Sequence, residues 1–279
     1  MAATDVTPLT LLGAKPRLIS YLRSIWARRE FALEIPRAEL AAQHRNTVLG
    51  GVWHVLNPLM LVGVYYVIFG IFVRSDRGID NFVGFLAIGV FVFHFTTKSA
   101  QAGARSIIGN EGLLRAVAFP RAILPISVVL SEFAALLYAM AAMFAIVLLT
   151  GEEPGWTWLL IAPISLLQLL FNLGLAMLVA RLADHFRDIL QVVPYTLRIW
   201  GYASGVFYDP LQRASEYPFL IGVIKANPVF LYMHLSRRAL LDNAPPTLQE
   251  WGVLTGWGIA ACIAGLVFFL AKEHHYGHG

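Results

Sequence analysis

Long apolar runs separated by short polar stretches set the class of this chain. No charged residue occurs between Arg45 and Arg74. As helix that interval is longer than a hydrocarbon core of about 30 Å requires. Repeated along the chain, the pattern predicts spans at about 48–73, 82–103, 122–150, 157–181, 189–208 and 251–271. Glu132 alone interrupts the third and Arg198 the fifth. The expected fold is an all-α membrane protein with six transmembrane helices per protomer. One membrane domain, 46–271, follows an N-terminal segment, 1–45, and precedes a short tail, 272–279.

Two regions depart from simple spans. In residues 17–31, Leu18, Leu22, Ile25 and Trp26 share a helical face, with Arg17, Arg23, Arg28 and Arg29 close by. This predicts an amphipathic helix lying in the membrane interface. A surface helix in water is the alternative. Residues 217–236, YPFLIGVIKANPVFLYMHLS, are apolar but broken by Lys225 and Asn227-Pro228. Halves of about eight residues reach only about 12 Å each, too short to cross. A re-entrant helix pair between spans 5 and 6 is expected, with an external amphipathic loop as the alternative.

Composition sharpens this picture. Apolar residues make up 58% and charged residues 14% of 279, too little charge to cover the surface of a soluble domain this long. The mean hydropathy is +0.65 and the pI about 9.3. The basic residues border apolar runs, as membrane flanks do, instead of clustering on a soluble face. Nucleic acid is therefore not an expected partner. Loop charges set orientation. With Lys98 and Arg181 at the ends of spans 2 and 4 included, fourteen Lys and Arg fall before span 1, between spans 2 and 3, between 4 and 5, and after 6; six fall on the other side. Both termini are expected to be cytoplasmic. Met1 to Ala14 lacks the basic start and apolar core of a cleavable signal.

Catalytic motifs are missing from the sequence. There is no GxxxxGK[ST] phosphate loop, no HExxH and no GxSxG. The single cysteine, Cys262, excludes a disulfide framework. Asp184, His185, Arg187 and Asp188 read as a solvated helix end, with a metal or catalytic cluster as the alternative. His274, His275 and His278 read as terminal residues, with a metal-binding tail as the alternative. No metal site and no bound cofactor are expected.

Two stretches resemble a known family. RNTVLGGVWHVLNPLMLVGVYYVIFG, from Arg45, is similar to the start of span 1 in polysaccharide-exporting ABC transporter permeases, the membrane subunits for O-antigen (Wzm-type), capsule and teichoic-acid export. The matching positions are Arg45, Thr47, Leu49, Gly50, Trp53, Pro58 and Phe69. NEGLLRAVAFPRAILP, from Asn110 to Pro125, resembles that family's coupling helix and its exit into span 3. Weaker echoes are Phe186-Arg187-Asp188 and Asn227-Pro228. With the span count, the resemblance covers nearly the whole chain.

The resemblance implies a homodimer in the bacterial inner membrane. Two copies of a separate Wzt-type ATPase, which holds ATP and Mg, would dock through Asn110, Glu111, Leu113, Leu114, Arg115, Phe119, Pro120 and Arg121. Arg45, Trp53 and His54 would mark the cytoplasmic mouth. A lipid-linked glycan of O-antigen, teichoic-acid or cell-wall galactan type would pass outward along spans 1 and 5. By pattern alone, 110–121 also reads as a plain connecting loop.

Aromatic rings pack on the apolar faces of sugars. Tyr65, Tyr66, Phe69 and Phe72 in span 1, and Tyr195, Trp200, Tyr202 and Phe207 in span 5, are candidate channel-lining residues. Tyr65, Phe69 and Phe72 share a face at α-helical spacing. The alternative is an interfacial aromatic belt. Glu132 and Arg198 each lie eleven residues past a cytoplasmic-edge arginine, about 16 Å deep. Opposite charges at equal depth predict an interhelical ion pair or two pore-facing groups. The alternative is that one of them snorkels to water. Rival functions are an ABC permease for a drug or small lipid, a membrane-embedded transferase, and a proton-coupled carrier using Glu132.

Overall fold

The computed structural model describes Arg23, Ala27 and residues 52–74, 78–116, 119–214 and 217–271. The interfacial helix expected at 17–31 lies outside the described residues except for Arg23 and Ala27, both helical. Arg45, the His54 side chain and the tail also lie outside them. Among the described residues the regular structure is helical, with no strand.

The helices are α1 (Trp53–Tyr65), α2 (Phe82–Ser106), α3 (Glu111–Ala116), α4 (Ile123–Leu149), α5 (Ile161–His185), α6 (Ile189–Ala203), α7 (Pro210–Arg213), α8 (Pro218–Ala226), α9 (Pro228–Leu240) and α10 (Leu248–Leu270). Five stretches are long and apolar enough to cross a membrane: Val55–Phe72, α2, α4, Trp156–His185 and α10. The pair α8 and α9 is bent by 89°. The chain is an all-α membrane protein.

α2 is the central post. Leu86, Ala87 and Ile88 are fully buried, and α1, α4, α5, α6 and α9 all pack against it. Its start is capped by Asn81, whose side chain accepts from the Gly84 amide at 2.8 Å. Asn81 Nδ2 donates to Thr150 Oγ1 and Glu152 Oε1, both at 2.8 Å. One residue thus satisfies a helix start and fixes the α4 end beside it. Gln168 Nε2 on α5 donates to the Val92 carbonyl (2.8 Å) and Thr96 Oγ1 (3.0 Å) of α2. Such bonds join helices where lipid offers no competing partner.

α5 and α10 run parallel in very close contact. Gly258 meets the Leu167 carbonyl, Gly174 meets Ala261 and Gly265, and Arg181 stacks on Phe268 at 3.9 Å. A methyl group at Gly174 would collide with the Ala261 backbone. Small residues allow this approach and the dispersion contact it brings.

Two expectations are corrected. Span 1 changes register: Tyr66–Phe72 is a π-helix. Its i→i+5 bonds carry Phe72 off the face expected from α-helical spacing, and Phe72 is 78% exposed. Span 5 stops early as a helix, at Ala203 instead of 208. Gly205 lies at φ +69, Val206 N donates to the Gly201 carbonyl, and Gly205 N donates to the Tyr202 carbonyl. That is a Schellman ending, and glycine fits its left-handed position.

Backbone that leaves helical form at membrane depth must find donors within the protein. Here they come from α9. Fully buried Arg237 donates from Nη1 to the Gly205 carbonyl (3.0 Å), from Nη2 to Val206 (2.9 Å) and from Nε to Phe85 (3.1 Å). Its guanidinium also lies 3.4 Å from the Phe85 ring centre. Gly89 leaves room for it, since a β-carbon there would strike Nη2.

The bent pair enters and leaves at one end of the bundle. Gln212 packs on Gly78 before α8 begins. At the bend Asn227 caps α9 through the Val229 amide (3.1 Å), accepts from Trp200 Nε1 (3.0 Å) and donates to Ser204 Oγ (2.8 Å). α9 then returns past Leu167, whose carbonyl accepts from the Tyr232 hydroxyl (3.0 Å). It finishes beside Thr157, which donates to the Ala239 carbonyl (2.7 Å). The halves hold 9 and 13 residues.

Candidate functional site

The segment expected to couple to a partner is a short external helix on a greasy seat. A 3-10 turn, Ile108–Asn110, leads into α3, and Asn110 Nδ2 donates to the Ser106 carbonyl at 2.9 Å. Leu113, Leu114 and Phe119 pack on buried Ile107, Ala122, Leu124, Met177, Ala180 and Phe269. That cluster draws on the ends of α2, α4, α5 and α10. Arg115 and Ala116 remain exposed, while Pro120 and Arg121 are half-buried at the start of α4. Glu111 Oε1 accepts from Arg187 Nη2 at 3.1 Å, and Glu111 Oε2 lies 3.7 Å from Arg115. The Arg187 contact joins α3 to the corner between α5 and α6. Exposed pairs of this kind are worth only about 0–1 kcal/mol, so they orient more than they hold.

The aromatic candidates divide. Tyr65, Phe69, Tyr202 and Phe207 form one cluster. Phe207 lies 4.3 Å from Tyr65, 4.8 Å from Phe69 in a stacked pair, and 5.3 Å from Tyr202. Tyr65, Tyr202 and Phe207 line a cavity of about 190 Å³ bounded by α1, α2 and α6, with Phe93, Pro194 and Arg198 on its other walls. Tyr66, Phe72 and Tyr195 are exposed outside that lining. Trp200 turns inward, toward Asn227 and, edge-on at 6.3 Å, Phe171.

Glu132 and Arg198 sit nine residues into α4 and α6, each about 14 Å along its helix. They face different cavities. Exposed Arg198 lines the aromatic one. Half-buried Glu132 lines a cavity of about 310 Å³ between α1, α2 and α4, together with Trp53, Asn57, His94 and Lys98. α2 contributes a wall to each. Equal depth is readable from residue numbers, but the direction a side chain points around its helix depends on packing.

Sequence reasoning missed Arg237, which it counted only as a loop charge. The signal was an arginine pair directly after the apolar re-entrant stretch 217–236. At the 151–157 end, Asp242 is held above the usual carboxylate range, first by burial and then by Glu152 and Asp80, against the pull of Arg238. Among the described residues no group of His, Cys, Asp and Glu is arranged to hold a metal ion.

The sequence pattern of the ABC-2 type transporter family matches residues 35–241. The chain belongs to the ABC-2 type transporter family. Its match takes in α1 through α9, including the π-segment, α3 and the re-entrant pair. Within this ABC-2 family the chain is similar to the O-antigen export system permease protein RfbA of Myxococcus xanthus, with 29% identity over 259 residues, covering 93% of this chain and 98% of the relative. It is also similar to the protein of the same name from Klebsiella pneumoniae, with 27% identity over 243 residues, covering 87% and 92%.

Proposed function

We propose that this ABC-2 protein is the membrane subunit of an exporter that moves a lipid-linked polysaccharide outward across the bacterial inner membrane. The observation that carries this reading is the end-to-end similarity to O-antigen export permeases, over 93% of the chain. The cargo is of O-antigen, teichoic-acid or cell-wall galactan type. Two copies of the chain work with two copies of a separate ATPase of the Wzt type.

The geometry supports this division of labour. α3 exposes Arg115 and roots Leu113 and Leu114 in the ends of four long helices. A soluble partner gripping α3 moves those helices together. The end bearing α3 is cytoplasmic in this reading, as are both termini. The rings of Tyr65, Tyr202 and Phe207 offer sugar faces a surface without fixed register, which suits a polymer in motion.

Depletion of the protein, followed by analysis of lipid-linked sugars, tests the proposal. A lipid-linked glycan should accumulate on the cytoplasmic side. An unchanged pool and unchanged surface glycan would overturn it.

A further inference from the structure

The end of α10 lies beneath α3, with Phe269 in its seat, so the start of α10 marks the opposite end of the bundle. A cavity of about 250 Å³ opens there. The chain bends by 89° between α8 and α9, and Lys225 at the end of α8 and His234 on α9 line this one cavity. Thr247, Gln249 and Glu250 at the start of α10 complete its polar side, and Leu211, Phe230 and Val253 form its apolar side. The Phe230 ring stacks on His234, with ring centres 5.1 Å apart.

The carboxylate facing this cavity is already engaged. Glu250 accepts from Arg238 Nη1 at 2.7 and 2.9 Å, from the Thr247 amide at 2.7 Å and from Thr247 Oγ1 at 2.9 Å. Arg238 also cancels its charge. The donors are not engaged. Among the described residues Lys225, His234 and Gln249 have no hydrogen-bond or ion-pair partner. A neutralised carboxylate beside an unused ammonium, imidazole and carboxamide is complementary to an anion with several oxygens.

The apolar side leads on along α10. From Val253 the helix surface continues through Gly256, Trp257, Ala260 and Ala264, all exposed and on one helical stripe. A β-carbon at Gly256 would meet nothing within 4 Å. The small side chains leave a shallow apolar trough beside the Trp257 ring. Basic pockets between helices near a membrane surface receive lipid head groups. We propose that this cavity seats the head of an anionic glycerophospholipid of the outward leaflet, of the phosphatidylglycerol class. Lys225 and His234 take the phosphate oxygens, Gln249 takes a headgroup hydroxyl, and one acyl chain lies along the α10 stripe. The seated lipid ties α8 to α10 across the cavity. The inference goes beyond the export reading and uses it only to say which leaflet is meant.

The test is titration of the purified full chain in non-ionic detergent with phosphatidylglycerol, the bound fraction being read by native mass spectrometry and the unfolding temperature beside it. Lys225 is exposed, so its replacement leaves the packing intact. Lys225→Gln should weaken phosphatidylglycerol by about tenfold or more, the scale of one charge-assisted contact. Lys225→Arg should retain most of the affinity. Gly256→Leu, which fills the trough, should also weaken the lipid while leaving the unfolding temperature of the lipid-free protein unchanged. Phosphatidylglycerol should raise the unfolding temperature of the natural chain and of Lys225→Arg, and do so less for Lys225→Gln. Equal binding by Lys225→Gln and the natural chain would overturn the site. So would phosphatidylcholine binding as tightly, which marks unselective lipid contact, or inorganic phosphate binding as tightly as the lipid, which marks a free-anion site. Tighter Lys225-dependent binding of farnesyl diphosphate would overturn it too, since the cavity would then serve diphosphate esters. Binding is read without ATPase or transport, so loss of this site leaves the export reading standing, and unchanged glycans on depletion remove the export reading alone.

Discussion

Arg237 donates to the carbonyl of Gly205 at 3.0 Å, across 32 residues of sequence. The contact lets span 5 stop being a helix inside the protein without leaving its carbonyls bare. Arg237→Met should therefore destabilise the chain by on the order of 3 kcal/mol or more, since three buried acceptors lose their donor. Arg237→Lys should recover only part, because one ammonium cannot reproduce the fork. Thermal unfolding in detergent measures both.

Gly89 shares that clamp. Gly89→Ala places a methyl against the Arg237 Nη2. It should lower the unfolding temperature by itself, yet add little on top of Arg237→Met, since both act on one interaction. Full additivity in the same unfolding assay would separate the two residues.

Gly174→Val should cost about 1–3 kcal/mol by overpacking the seam between α5 and α10. Gly222→Val, at a position with open space around its α-carbon, should cost much less. Yields of monodisperse protein after heating rank the two.

Tyr65→Ala and Phe207→Ala should each reduce glycan export by about five- to tenfold while the chain still assembles with its ATPase. Phe72→Ala, outside the ring cluster, should leave export near normal. Surface glycan, measured against the amount of assembled complex, decides. Equal effects at Phe72 and Tyr65 would remove the lining role from the cluster.

Asp242 gives a pH dependence of known sign. Its carboxyl is raised in the fold, so the native state holds that proton more tightly than the unfolded chain. The contribution is fully present at acidic pH and is lost as pH rises from the ordinary carboxylate value through the raised one. Asp242→Asn removes the loss. Its stability relative to the natural chain should climb over that window and then stay flat, as read from unfolding temperatures at stepped pH.

The long helices were legible because a bilayer leaves a chain few ways to satisfy its backbone, so apolar length alone marks them. The bend at Asn227-Pro228 was legible too, since proline at the first helical position and asparagine before it start a new helix. The end of α6 at Ala203 was not. Residues 204–208 are as apolar as a helix needs, and what releases them is a guanidinium supplied from α9. The π-segment was hidden for a similar reason. YVIFGIF reads as ordinary α-helix, and Phe72 was assigned to a face that the wider turn carries away. For the candidate sites, composition pointed to aromatics in spans 1 and 5, but only packing sorted Tyr65, Tyr202 and Phe207 from Trp200, which is tied inward by Asn227.

The seat beneath α3 has a mechanical consequence. Leu113, Leu114 and Phe119 rest on side chains from the starts or ends of α2, α4, α5 and α10 at once. Force applied there is shared among several beams and cannot bend one alone. α1 and the ringed stretch around Phe207 have no part in that footing. In the exporter proposed above, a stroke delivered to α3 would shift the braced group as a single piece against the unbraced one, and the seam to part would be the one beside the rings.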